Sequence, residues 1–268
     1  MRHIYANHAH IFPEFARKDG TIAVLRQVMQ ENSIEKCICF APFYEYFSDA
    51  FSPNDWLAEQ LASDNSLFGF GVINFHGSDI ADQVQHIADL GFKGIKLHPA
   101  FQKVKIDGPE CCQVYDKAQE LNLFISFHTG IHWHRISDYN MLLYDEVAYR
   151  YPKLRFSMEH MGGYCFFSEA LAVMLNNQRS KYAPRVFAGI TSVFDREMNK
   201  PWFLSDQQIK DLLWQMGEDS SIFGLDFPFN SSAKIHDAIE HIINMDIPES
   251  AKNAILGGNL ERILKLDD

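Results

Sequence analysis

The chain reads as an α/β protein, a (β/α)8 TIM barrel in one domain spanning residues 1–268. Three observations predict this. Short apolar runs alternate with amphipathic stretches from end to end, and that alternation implies parallel strands joined through helices. Eight such units can be counted, and the 268 residues match the roughly 250 that one closed barrel takes. The sequence holds no G-x-G-x-x-G turn of a doubly wound sheet, no internal repeat and no Pro/Gly/Ser-rich linker.

Taken in order, the first strand covers 3–7, and 21–31 is a helix because Ile22, Leu25, Val28 and Met29 fall on one face. Residues 37–41 form the second strand, stopped at Pro42, and a helix follows at 54–63. The third strand is 67–73. Ser78 or Asp79 caps a helix running to Leu90, with Gly91 as its C-terminal cap glycine. Strand four is 94–97, with a helix at 109–120, and strand five is 123–127. A helix over 138–151 ends at Pro152, which a helix interior tolerates poorly. Strand six is 154–158 with a helix at 166–176, strand seven is 185–190 with a helix at 205–216, and strand eight is 222–225. Helices at 233–243, 249–256 and 260–264 close the chain. Two long connections, 43–53 and 191–204, follow strand C-termini, where barrel active sites lie. The first carries Phe43, Tyr44, Tyr46, Phe47 and Phe51, either a pocket wall or aromatics for helix and subunit packing.

Composition narrows the function. A hydrophobic content of 47% with 13% aromatics supports a large core. A net charge of −11 argues against nucleic acid, since phosphate binding needs clustered Lys and Arg. No apolar stretch approaches the roughly 20 residues of a membrane span and no signal-peptide pattern opens the chain, so the expectation is a cytoplasmic protein. The five cysteines, an odd number without a C-x-x-C pair, give neither a disulfide framework nor a thiolate zinc site. Cys165 alone stays as a weak nucleophile candidate. The aromatics allow a homo-oligomer interface without locating one.

Polar residues gather at the ends of the expected strands: His8 and His10, Lys96 and His98, His128, His160 and Asp226. Side chains two apart in a strand share a face, so His8 and His10 point together, and imidazole pairs suit zinc and other late divalent ions. A single strand-end histidine is more often a core residue than a ligand. Five strands delivering His, Lys or Asp to one rim is hard to explain as packing, because buried unpaired polar groups cost several kcal/mol each.

In His8-Ala9-His10, Gly91 to Pro99, His128-Thr129-Gly130, Glu159 to Gly163, Gly224 to Pro228 and Gly257 to Arg262, the chain resembles the amidohydrolase superfamily. Within it, the resemblance is to the amidohydrolase-2 branch of metal-dependent TIM-barrel hydrolases and decarboxylases. It implies that His8, His10, His128 and Asp226 bind one divalent ion, zinc first and manganese second. It places His160 beside the metal-bound water as a hydrogen-bonding base, or as a ligand itself. Asp226 would touch the ion and also move the water's proton. One departure is Ala6, where the family usually has a supporting aspartate; Asn7 would lie on the wrong face to replace it.

Such a ligand set leaves positions for water, whose pKa falls toward about 7, and polarises a carbonyl. The expected activity is hydrolysis of a small, carboxylate-bearing amide, ester or lactone. A decarboxylase on the same site is the alternative, and a non-catalytic binding barrel is a third reading. Lys96 is a carboxylated bridge between two metals, a contact for a substrate carboxylate, or half of an internal ion pair with Glu159. His98 orients substrate or lines the rim. Arg135, in the loop after His128, suits bidentate carboxylate recognition or is a solvated surface residue, and Arg196 is a weaker candidate of that kind. Asn259 is expected to cap the final helix, with Arg262 paired with a carboxylate near the barrel rim.

Overall fold

A computed structural model describes residues 2–48, 51–77, 79–178 and 184–266. Its strands are β1 (Tyr5–His10), β2 (Lys36–Phe40), β3 (Leu67–Gly71), β4 (Gly94–Leu97), β5 (Phe124–His128), β6 (Arg155–Glu159), β7 (Val186–Thr191) and β8 (Ser221–Phe227). Each pairs parallel with the next and β1 pairs with β8, closing a barrel. The expected (β/α)8 TIM barrel is the fold observed.

Alternation along the strands divides the core in two. Outward residues such as Ala6, Ala9, Cys37, Cys39, Ile95, Leu97 and Phe127 pack under the surrounding helices. Inward, Tyr5, Ile38, Phe40, Phe70, Phe124, Phe187 and Ile222 fill the barrel, and Leu260, Ile263 and Leu264 of the helix Asn259–Leu264 pack with them. Each such buried side chain contributes about 1.5–3 kcal/mol. The barrel is therefore plugged by apolar rings at its lower end, and the strand-terminal histidines lie above them.

The helices follow their local signals. Asp79 caps the helix Ile80–Asp89 by accepting from the Asp82 amide at 3.1 Å, and Gly91 follows it with φ +77°. The alternative cap, Ser78, lies outside the described residues, as do residues 49 and 50 of the long loop after β2. Ser205 and Gln208 form a reciprocal capping box on the helix Asp206–Met216.

Three details depart from the sequence reading. The expected helix over 138–151 begins later, at Leu142–Arg150, after a 3-10 turn at Ile136–Tyr139. Asn259 does not cap the last helix; it starts it, and its amide bonds the carbonyls of Glu218 and Ser221 at 2.7 and 2.8 Å. Arg262 does pair with a carboxylate, Asp219 Oδ1 at 3.7 Å, and donates to the Asp219 carbonyl at 3.0 Å, but it does so at the entrance of β8, at the end opposite the strand-terminal histidines.

The largest departure is in β1. The register advances two residues along β2 (Cys37 to Cys39) while β1 advances three, from Ala6 to Ala9, and His8 takes φ +71°. This bulge breaks the two-residue period. Asn7 faces inward by ordinary alternation, and the extra residue turns His8 inward as well. Asn7 is therefore not on the wrong face. The buried Ala6 packs outward under the helices instead.

Candidate active site

The C-terminal ends of the strands open into a cavity of about 550 Å³. Its floor includes His10, Lys96, His98, His128 and Asp226, and its walls include Phe12, Phe43, Tyr46, Phe101, Trp202 and Phe229. His8, fully buried, lies directly beneath.

Among the described residues, two groups of side chains bring ligand atoms within 4.8 Å of one another: His8, His10 and Asp226, and separately His98, His128 and His132. In the first, His8 Nε2 is 3.4 Å and His10 Nε2 4.0 Å from the same oxygen, Asp226 Oδ1. His8 Nδ1 faces Glu159 Oε2 at 3.0 Å. A carboxylate only accepts, so Nδ1 carries the proton and Nε2 presents a lone pair. That lone pair faces the Asp226 oxygen, and the Lys96 ammonium lies 3.4 Å from the same nitrogen. Metal–N and metal–O bonds of about 2.0–2.2 Å give tetrahedral edges of roughly 3.3–3.6 Å, close to the first of these spacings. The trio fits a divalent ion.

His128 does not join the trio. Its Nε2 is 2.7 Å from the Gly130 carbonyl and its ring stacks on His98 at 3.9 Å and 15°. The second group is a poor ion site, because the lone pairs of two parallel stacked rings run side by side instead of converging. His98 is also committed: its Nδ1 accepts from the Phe101 amide at 3.3 Å, which leaves the proton on Nε2. That Nε2–H is buried without a partner among the described residues. It is a free hydrogen-bond donor at the cavity floor.

His160 has the opposite tautomer. Its Nδ1 donates to the Thr191 carbonyl at 2.8 Å, and its Nε2 lone pair is buried and has no partner among the described residues. Trp202 stacks on the ring at 4.1 Å and donates its indole N–H to the Ile131 carbonyl at 2.8 Å. Burial, reinforced by Lys96, lowers His160 to about 3, so it stays neutral. Burial likewise holds His8, His10, His98 and His128 well below the ordinary imidazole value.

Lys96 is buried, with Nζ 3.4 Å from His8 Nε2 and 5.0 Å from the centre of the Phe40 ring. Burial lowers it to about 8, against the pull of Glu159 and Asp226, so it remains mostly an ammonium at neutral pH. Burial raises Asp226 to about 6, with the Ser192 hydroxyl opposing at 2.7 Å on Oδ2. Asn230 donates to that hydroxyl at 2.8 Å, which turns the Ser192 proton toward Asp226.

Arg135 is not brought in: its side chain is 85% exposed and lies on Asp138 at 3.2 Å. Arg196 faces a separate cavity outside the barrel, and Cys165 is exposed. Of the aromatic loop after β2, Phe43 and Tyr46 line the site, while Phe47 and Phe51 pack on Phe15. The loop residues His132, Trp133 and His134 do overhang the cavity. Sequence reasoning missed Trp202, Ser192, Phe229 and the part Glu159 plays.

A closed parallel barrel with histidines and an aspartate converging at its C-terminal rim defines a class of barrel built for chemistry at that face. The chain belongs to the amidohydrolase family, whose sequence model matches residues 47–266. The members of that family are enzymes. Curated proteins yield no match. Among solved structures, the chain is similar to 5-carboxyvanillate decarboxylase from Sphingomonas paucimobilis (TM-score 0.75, 16% identity, 99% of each chain covered). It is similar to a dihydroxybenzoic acid decarboxylase from Polaromonas sp. JS666 with bound manganese and the inhibitor 2-nitroresorcinol (0.73, 18%, 100% of this chain and 98% of that one). A candidate 2-pyrone-4,6-dicarboxylic acid hydrolase from Pseudomonas putida is also similar (0.75, 14%, 100% and 99%). At these identities the likeness carries the fold. No described helix is long and apolar enough to cross a membrane.

Proposed function

We propose that this chain is a metal-dependent hydrolase of a small, carboxylate-bearing amide, ester or lactone. The observation that carries the reading is the meeting of His8 Nε2, His10 Nε2 and Asp226 Oδ1 beside a buried ammonium, under an aromatic cavity. His8, His10 and Asp226 would hold one divalent ion, zinc or manganese. His128, the fourth ligand implied by the family resemblance, would have to leave the Gly130 carbonyl to reach it. Bound there, the ion supplies Lewis-acid polarisation of a substrate oxygen and a more acidic water.

The protein's own groups divide the remaining work. His98 Nε2–H donates to a substrate oxygen, and the neutral His160 offers its Nε2 lone pair as a hydrogen-bond acceptor. Asp226, ionised above about pH 6, is the acceptor for the proton that hydrolysis releases. Glu159 and Asp226 with Lys96 leave one net negative charge buried; a divalent ion makes it one net positive. An anionic substrate then completes neutrality, which supports a carboxylate.

The second reading, a decarboxylase, is favoured by the apolar walls: Phe43, Tyr46, Phe101 and Trp202 would strip water from a carboxylate and hold a flat ring. The test is incubation of zinc- or manganese-loaded protein with aromatic acids and with carboxylated amides and lactones, measuring carbon dioxide and hydrolytic product separately. Hydrolytic product without carbon dioxide supports the first reading, and carbon dioxide alone moves the assignment to the second. Turnover that survives complete chelation overturns both.

A further inference from the structure

The metal-ligand reading leaves one buried charge without a task. Glu159 ends β6, is 0% exposed and carries a carboxylate deep inside the barrel. Five donors from four strands converge on it. Asn7 Nδ2 and Ser126 Oγ reach Oε1 at 2.9 and 3.1 Å, and Ser157 Oγ also bonds it. Thr191 Oγ1 and His8 Nδ1 reach Oε2 at 2.8 and 3.0 Å. A carboxylate offers about four lone-pair sites, so this one is saturated. Lys96 is not among its partners; the Lys96 ammonium lies against His8 Nε2.

The backbone around the carboxylate is cleared for it. A Cβ at position 189 would lie 2.3 Å from Glu159 Oε2. At position 224 it would lie 2.1 Å from Thr191 Oγ1 and 3.0 Å from His8 Cβ. Glycines inside β7 and β8 thus permit the close approach of Glu159, Thr191 and His8.

We infer that Glu159 is the positioning residue for the metal site: it fixes His8 as the Nδ1–H tautomer and aims its Nε2 lone pair at Asp226. The β1 bulge that turns both Asn7 and His8 inward brings both within hydrogen-bond reach of the Glu159 carboxylate. Four further donors, from Asn7, Ser126, Ser157 and Thr191, hold the carboxyl group in place independently of His8. The inference rests on the proposed metal reading.

Two measurements test it. In metal-free wild-type protein, long-range proton–nitrogen NMR on 15N-histidine, with His8 assigned through His8→Gln, should show an Nδ1–H tautomer. In folded Glu159→Gln, judged by near-UV circular dichroism, zinc affinity by competition with a chromophoric chelator should fall about 10–100-fold. Zinc affinity unchanged in that variant, or an Nε2–H tautomer in the wild type, overturns the inference; the second readout stands even if Glu159→Gln does not fold. Absence of zinc binding by wild type would instead overturn the metal reading on which it rests.

Discussion

Replacing Gly189 with alanine tests how tightly the centre of the barrel is built. The added methyl would sit 2.3 Å from Glu159 Oε2, 2.5 Å from its Cδ and 2.8 Å from its Cα. Relief to ordinary contact near 3.4 Å requires a shift of about 1 Å, and the nearby Cα belongs to strand backbone, so the carboxylate must move. Oε2 then loses the bonds from Thr191 and His8, which are 2.8 and 3.0 Å long. Hydrogen bonds to charged groups are worth about 1.5–3 kcal/mol each, so the loss is roughly 3–6 kcal/mol. Reduced freedom of the unfolded chain returns about 0.4–1 kcal/mol. At roughly 2–4 °C per kcal/mol for a domain of this size, the midpoint of thermal unfolding should drop by about 5–20 °C. Metal affinity should fall with it, because His8 loses its anchor. A melting temperature within about 1 °C of wild type, with unchanged metal affinity, would refute the packing argument.

The remaining predictions concern the site. Metal affinity should depend on pH through Asp226, whose proton competes with the ion. Above about pH 6 the dissociation constant should be flat toward neutrality, and below it should rise up to about tenfold per unit; the histidine ligands, already neutral, add nothing in that window. A titration that is pH-independent from 5 to 7 would contradict this. Lys96→Met should raise KM for an anionic substrate about tenfold or more, by removing the buried ammonium, and equal effects on neutral and anionic substrates would exclude that contact. Arg135→Ala should change KM less than about twofold, since the guanidinium lies on Asp138 in solvent; a tenfold rise would return it to substrate recognition.

The barrel was legible because eight apolar runs alternate with helical stretches, and the helices carried their own signals, such as Asp79 and Gly91. The ends of β4, β5, β6 and β8 could be read closely enough to bring Lys96, His98, His128, His160 and Asp226 to one rim. What failed was strict alternation in β1. A bulge adds one residue without a composition signal, so strict alternation puts Asn7 on the wrong face. The tautomers were also invisible: spacing does not say that His128 turns to Gly130 while His160 turns to Thr191. Glu159 shares the inward parity of its donor Ser157, but its other donors come from β1, β5 and β7, and only the closed barrel assembles them. Gly189 and Gly224, glycines inside strands, are the signal from which a close approach could have been read.

Trp202 illustrates a different limit. It comes from the long connection after β7, recognised as a site loop by its length alone. Gly130 admits it, since a Cβ there would meet the indole nitrogen at 2.6 Å. Stacked on His160, it closes one side of the cavity and keeps that histidine dry.

The central claim is that His8, His10 and Asp226 make one metal site. Its most direct test is metal analysis after apo protein is titrated with zinc or manganese and dialysed, wild type beside His10→Ala and Asp226→Asn. The account predicts one equivalent in wild type, well below one in each variant, and variants that melt cooperatively because packing holds the barrel. Wild type that retains no ion, or variants that retain a full equivalent, would contradict it.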